Sequence, residues 1–419
     1  MPLNAEIISI GDELLIGQVV NSNAAYIAGQ LNSVGIFVET MTTVGDSERA
    51  ILGAFEKAMH EYDVVTVTGG LGPTHDDITR AAVCKFFDTE LIINAEALEN
   101  IKERFARRNI ALIKRNEEQA LVPRGCTVIQ NHHGTAPGYL FERHAKYLIV
   151  MPGVPDEMKG MMDDFVVPFF SRMQVGTSIL HRTLKTTGIA ESLLAEQIGD
   201  VEEIFPVNSG ITLAYLPSAL GVRLRITVKS PSRAEAEKHV REVESKLRSK
   251  VNRYIYGTDT EELEDVLGRM LSERKLTISI AESCTGGLIA DRITNVSGSS
   301  NYFERGIVTY SNASKVAELG VPMATIEQHG AVSREVAEAM ASGIRTKSNT
   351  DIGISTTGIA GPTGGSAEKP IGLVWIGYSD RAQTIAVRFN FASDRRSFKE
   401  RASQATLDLV RRKLLKIEQ

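Results

Sequence analysis

The sequence predicts an α/β protein of several units, and three observations carry that prediction. Short apolar runs alternate with amphipathic stretches along most of the chain, as strands do with the helices that cover them. Two strand-like runs, Val64–Thr68 and Ile278–Ala281, pass directly into glycine-rich turns followed by helix starts. At 419 residues the chain is also long enough to bury two or three separate cores.

The elements follow in order. Residues 5–10 read as a strand, 21–34 as a helix, 37–43 as a strand and 50–62 as a helix. The run Asp63–Thr68 is apolar enough for a parallel sheet to bury on both faces. A further strand at 147–151 leads into a helix beginning near Pro155, and the first unit is placed at 1–175. A second unit, 176–257, reads as strand 183–187, helix 190–200, strands 211–216 and 222–228, and helix 233–249. Its last strand alternates Val222, Leu224, Ile226 and Val228 inward with Arg223, Arg225 and Thr227 outward. This small α+β connector resembles a KH-type module. It lacks the glycine-rich loop with which such modules grip RNA, which favours a structural role. The third unit, 258–419, opens with helix 261–275 and strand 276–281 and closes on a long amphipathic helix, 394–417.

Composition narrows the function. A net charge of −5 argues against a nucleic-acid binder working through a basic surface. No apolar run approaches the ~20 residues that span a bilayer, and the N-terminus has no basic segment followed by an apolar stretch. Cys84, Cys126 and Cys284 are scattered and odd in number, which fits a reducing cytoplasm better than a disulfide framework. The expectation is a cytoplasmic protein.

The strand Val64–Thr68 runs into Gly69-Gly70-Leu71-Gly72-Pro73-Thr74-His75-Asp76-Asp77. Glycines at the carboxyl end of a buried strand are where such sheets bind ligands, and Gly69, Gly70 and Gly72 let backbone N–H groups approach a phosphate. Asp76 and Asp77 beside a bound pyrophosphate suit a divalent metal. The structural alternative makes Asp76 a helix N-cap and Asp77 a first-turn carboxylate. Three further segments, Gly17–Asn23, His133–Gly138 and Met151–Met158, add to the first reading. Together GDELLIG…NSN, TGGLGPTHDD, HGTAPG and MPGVPDEM resemble the MoaB/MogA-like, molybdopterin-binding-type domain as it occurs in CinA proteins. That resemblance implies a three-layer αβα domain with metal-dependent ADP-ribose pyrophosphatase activity yielding AMP and ribose 5-phosphate. The TGGLGPT loop, Thr74 included, would hold phosphates, with Asp76 and Asp77 supporting a Mg, Mn or Co ion.

In the third unit the first strand delivers Glu282-Ser283-Cys284-Thr285-Gly286-Gly287, again an anion cradle at a strand-to-helix turn. Downstream lie Ser297-Gly298-Ser299-Ser300, Tyr310-Ser311-Asn312-Ala313-Ser314-Lys315 and a second strand end through Thr357, Gly358 and Gly361. Beyond residue 258 the only histidine is His329, which leaves lysine or tyrosine to act as base for a serine. Reaching half-neutral at pH 7 requires lowering a lysine pKa by roughly 3 pH units, about 4–5 kcal/mol, so Lys315 needs a desolvated pocket. Cys284 is the rival nucleophile, although a cysteine after a strand is more often core packing.

The strings AESCTGGLIADRIT, SGSSNYFERGIVTYSNASK, HGAVSREVAEAMA, TTGIAGPTGGS and SDRRSFKERA closely resemble the CinA C-terminal domain, the nicotinamide mononucleotide deamidase family. The resemblance implies an α/β domain with Ser300 as nucleophile, Lys315 as base and Tyr310 assisting. It implies substrate contacts at Glu282, Thr285, Gly286, Thr357, Gly358 and Arg395, with Lys399 a second basic position, and no cofactor at that site. The whole reads as a bifunctional pyridine-nucleotide salvage hydrolase acting on nicotinamide mononucleotide and ADP-ribose, expected to be a homodimer. The competing reading is a non-enzymatic nucleotide- or pterin-binding regulator in competence or DNA damage.

Overall fold

A computed structural model describes residues 3–72, 74, 77–173, 178–206 and 208–417. The chain forms two compact units, Met1–Leu180 with Val228–His239, and His181–Thr227 with Val240–Gln419.

The first unit is built on a six-stranded sheet. Its strands are β1 (Asn4–Ile10), β2 (Phe37–Val44) and β3 (Val64–Thr68), then, after a small β4–β5 ladder (Leu91–Ile93 with Leu121–Pro123), β6 (Thr127–Ile129), β7 (Gly138–Arg143) and β8 (Lys146–Met151). The spatial order is β2-β1-β3-β8-β7-β6. The first four strands in that order are parallel and the last two antiparallel. All five residues of β3 are buried, because helices cover both faces. Successive residues of each strand point to opposite faces, so Ile7, Val64 and Ile149 pack with Ile27, Leu31 and Met158 on one side. Ile8, Val65, Val67 and Val150 pack with Ile51, Phe55 and Val83 on the other. This is the three-layer αβα arrangement. The helix Ser22–Ser33 starts where Asn21 accepts from the Ala24 N–H, and Glu48–Glu61 starts at a Ser47 cap.

A four-stranded sheet follows, ordered β10-β11-β9-β12, from β9 (Ser178–Thr186), β10 (Ile211–Ser218), β11 (Gly221–Ser230) and β12 (Ile255–Thr258). Val222, Leu224, Ile226 and Val228 are buried while Arg223 and Arg225 are exposed, as the alternation predicts.

The last sheet orders β14-β13-β15-β16-β17, with β13 (Ile278–Glu282), β14 (Phe303–Val308), β15 (Ile352–Gly358), β16 (Leu373–Ser379) and β17 (Thr384–Asn390). β13, β14 and β15 are parallel, and β16 and β17 are antiparallel additions. Helices Leu263–Arg274 and Arg395–Leu414 bury Leu267, Leu271, Phe398 and Ala402 on one face. Helix Arg334–Ser348 buries Val336, Met340 and Ile344 on the other. No described helix is long and apolar enough to cross a membrane.

Candidate active sites

In both large sheets the first strand lies between its next two parallel partners: β1 between β2 and β3, β13 between β14 and β15. Chain connections leave such a strand in opposite directions, which opens a crevice at its carboxyl end. Both glycine-rich turns sit at such an end.

At β1 the crevice is a cavity of about 450 Å³ lined by Glu13, Asn21, the turn Gly69–Gly72, Thr135 and Pro152. The four sequence segments singled out above therefore meet at one place. Gly69 has φ 113, and a Cβ there would lie 2.1 Å from the Ile10 carbonyl oxygen, so the tight crossing of β1 and β3 demands glycine. Asn23 Nδ2 donates to the Gly153 carbonyl at 2.7 Å, tying NSN to MPG. Asp77 is not in the first turn of the following helix, Thr79–Phe87, and instead bonds back to the glycine turn. Its carboxylate accepts from the Gly72 N–H at 2.8 Å and the Thr74 N–H at 2.7 Å, and from the Thr74 hydroxyl. It staples the turn, and Thr74 is its partner. Among the described residues no group of three His, Cys, Asp or Glu side chains converges as a metal site. Asp76 lies outside the described residues. Asp77 is thus engaged by the turn.

At β13 the centre is Lys315. Ser311 caps the helix Asn312–Leu319, and Lys315 and Leu319 form its buried face. Lys315 is 2% exposed. Its Nζ lies 3.0 Å from Ser283 Oγ and donates to the Thr309 carbonyl at 2.8 Å. No carboxylate pairs with it among the described residues, and burial holds its pKa below the ordinary lysine range. A lysine that is neutral beside a serine hydroxyl can take the hydroxyl proton.

The serine at Lys315 is Ser283, not Ser300. Ser300 is exposed in the short turn Ser299–Asn301 before β14, where the Ile278 N–H at the start of β13 bonds the Tyr302 carbonyl. Ser283 and Lys315 lie past the far ends of β13 and β14. The six residues of β14 at ~3.3 Å each separate Ser300 from Lys315 by roughly 20 Å. Ser283 was legible only as part of the anion cradle, and its signal was its place directly after the buried central strand.

The other predicted residues divide into two groups. Tyr310 is 62% exposed and accepts from Arg395 Nη2 at 2.7 Å; Arg395 Nη1 donates to the Gly361 carbonyl at 2.9 Å. Tyr310 therefore bonds Arg395 and does not bridge a serine to Lys315. The Lys399 ammonium lies 3.4 Å from where a Cβ on Gly286 would stand, so Arg395 and Lys399 bring two cations to the crevice. The rest are framework. Glu282 is 1% exposed, and its carboxylate accepts from the N–H groups of Gly287, Ile289 and Ala290 at 3.0, 3.2 and 2.9 Å. Buried Thr285 shares a hydrogen bond with Thr356 at 2.8 Å, and Thr357 donates to the Ala331 carbonyl at 2.7 Å. At Gly358 a Cβ would lie 2.6 Å from the Leu373 carbonyl oxygen, so it serves the approach of β15 to β16. These residues are engaged in contacts within the protein that shape the crevice. Cys284 is buried, with its thiol pushed up to about 12 by desolvation, which disfavours the nucleophilic thiolate.

A buried Ser–Lys pair at one switch point and a glycine cradle at another are compatible with an α/β hydrolase of the nucleotide-related kind. Residues 260–414 match the CinA C-terminal domain, 6–172 the family described as "Probable molybdopterin binding domain", and 181–257 the damage-inducible protein CinA KH domain. The chain belongs to the CinA family. A CinA-like protein of Chloroherpeton thalassium is 46% identical over 415 residues, covering 97% of this chain and 98% of its own. A competence-damage inducible relative in Caldicellulosiruptor saccharolyticus is 45% identical over 411 residues, covering 98% and 99%. A crystal structure of a CinA superfamily protein from Klebsiella pneumoniae 700603 is 32% identical over 38% of this chain and 99% of its own, with a TM-score of 0.37.

Proposed function

We propose that the C-terminal site deamidates nicotinamide mononucleotide to nicotinic acid mononucleotide, with Ser283 as nucleophile and Lys315 as base. The observation that carries this reading is the 3.0 Å contact between Ser283 Oγ and the buried Lys315 Nζ. Lys315 takes the Ser283 proton as Oγ attacks the carboxamide carbon. The tetrahedral intermediate collapses to an acyl-enzyme, and ammonia leaves with the proton returned by Lys315. Water then attacks the ester, gives its proton to Lys315, and the acid departs as that proton returns to Ser283. Arg395 and Lys399 supply the positive charge for the nucleotide phosphate. Ser283→Ala should lower ammonia release at least ~10³-fold, whereas Ser300→Ala should keep it within about threefold. The reverse pattern would return the role to Ser300.

The cavity at β1 supports a second activity, hydrolysis of ADP-ribose to AMP and ribose 5-phosphate, because a glycine cradle of about 450 Å³ fits a pyrophosphate-bearing nucleotide. Metal dependence is part of this proposal, and no step is assigned to the ion. Chelation with EDTA should abolish AMP formation and added Mg, Mn or Co should restore it. AMP formation undiminished in EDTA would refute the dependence.

A further inference from the structure

A further cavity in the second compact unit belongs to neither site. It has a volume of about 590 Å³, within the 300–1,000 Å³ range of small-molecule sites. The loop after β9 and the β10–β11 turn form one wall, and β17 with the helix Arg395–Leu414 form the other. Its shape depends on two glycines. Gly188 (φ 76) brings its loop so close that a Cβ would lie 3.3 Å from Asp408 Oδ2, and at Gly221 a Cβ would lie 1.9 Å from the Thr186 carbonyl oxygen.

The lining is mostly apolar and has one specific geometry. Phe389 and Phe391 stack with ring centroids 5.6 Å apart at 17°. The Arg401 guanidinium lies 5.6 Å over the Phe391 ring. Arg401 is half-buried, and no carboxylate pairs with it among the described residues. Of the two acids lining the cavity, Glu191 is exposed, and Asp408 is held by Arg411 at 2.8 Å in a buried pair. A mostly apolar cavity with two stacked aromatic rings on one wall favours a planar ring. A partly desolvated guanidinium without a counter-ion selects an anion on that ring.

We propose that this cavity is a binding site for a planar aromatic anion of one or two fused rings, with the ring against Phe389 and Phe391 and the anionic group on Arg401. Occupancy does not depend on the Ser283–Lys315 chemistry, since the cavity lining includes none of Ser283, Lys315, Arg395 and Lys399.

The test is calorimetric titration of the full-length protein with 2-naphthoate and with its uncharged analogue, 2-naphthamide. The expected result is one site for the acid, with the acid bound about tenfold more tightly than the amide. Ala405→Trp, which fills the cavity from the long helix, should remove that site. Arg401→Gln should retain binding of both compounds but erase the preference for the acid, while ammonia release from nicotinamide mononucleotide stays unchanged. Equal affinity for acid and amide in the unmodified protein, or a preference that survives in Arg401→Gln, would overturn the proposal. An isotherm unaltered by Ala405→Trp would overturn it as well.

Discussion

Lys315 has two neutral partners, the Ser283 hydroxyl and the Thr309 carbonyl, and no carboxylate among the described residues. Neither offsets the cost of burying an ammonium as a carboxylate does, so burial lowers its pKa from 10.5. The sign of the consequences follows. Between the lowered folded pKa and the unfolded value, the unfolded chain binds the proton more strongly, so stability rises with pH through that window and falls as pH drops through the folded pKa. Lys315→Met should therefore abolish deamidation yet leave the thermal midpoint at pH 6 equal to or above that of the unmodified protein. A midpoint several degrees lower would make Lys315 a structural residue. The base must be neutral, so kcat/KM should climb with pH along a limb centred below 10.5; a flat profile would remove Lys315 from the reaction. Sequence distance misleads at this scale. Ser300 is half as far from Lys315 along the chain as Ser283, but β14 lies between and carries the two to opposite edges of the sheet. A parallel crossover returns Ser283 to the same edge.

At the scale of elements, Glu282 fixes the turn that presents Ser283. Its one carboxylate satisfies three backbone N–H groups opening the helix Leu288–Thr294. Glu282→Ala should cost about 3 kcal/mol, read by urea unfolding, and Glu282→Gln should recover part of it because an amide oxygen still accepts. A loss below about 0.5 kcal/mol in the alanine variant would show that the turn holds itself. Several strands were legible: β1, β3, β8, β11 and β13 fall close to where alternation or a continuous apolar run marks them, whereas β7, β14, β16 and β17 were not singled out. The ladder of β4 with β5 and the strand β6 were not, since strands of three residues are too short to show a period. Asp77 illustrates a related limit. A carboxylate after a glycine turn reads equally as metal ligand or turn staple, and only the positions of the Gly72 and Thr74 N–H groups decide.

At the scale of the molecule, one topological solution occurs twice, with a first strand flanked by its successors and a glycine turn at its carboxyl end. The two sites belong to separate compact units, so Ser283→Ala should leave AMP formation from ADP-ribose within about twofold. Loss of both activities together would mean one shared site. The doubly wound architecture was visible in the sequence because strand ends and glycines coincide there. The cavity beside β17 was not, because its walls come from segments far apart in the chain that carry no motif.

The thiols of this chain have a consequence for its surroundings. Burial raises Cys84, pushes Cys126 up to about 11 and pushes Cys284 up to about 12. Burial thus keeps Cys284 away from the thiolate form that peroxides attack. The proposed serine chemistry, with the neighbouring sulfur kept protonated, requires no thiolate. Ammonia release should therefore survive an hour in millimolar hydrogen peroxide without added reductant; its loss there would put a thiol in the reaction.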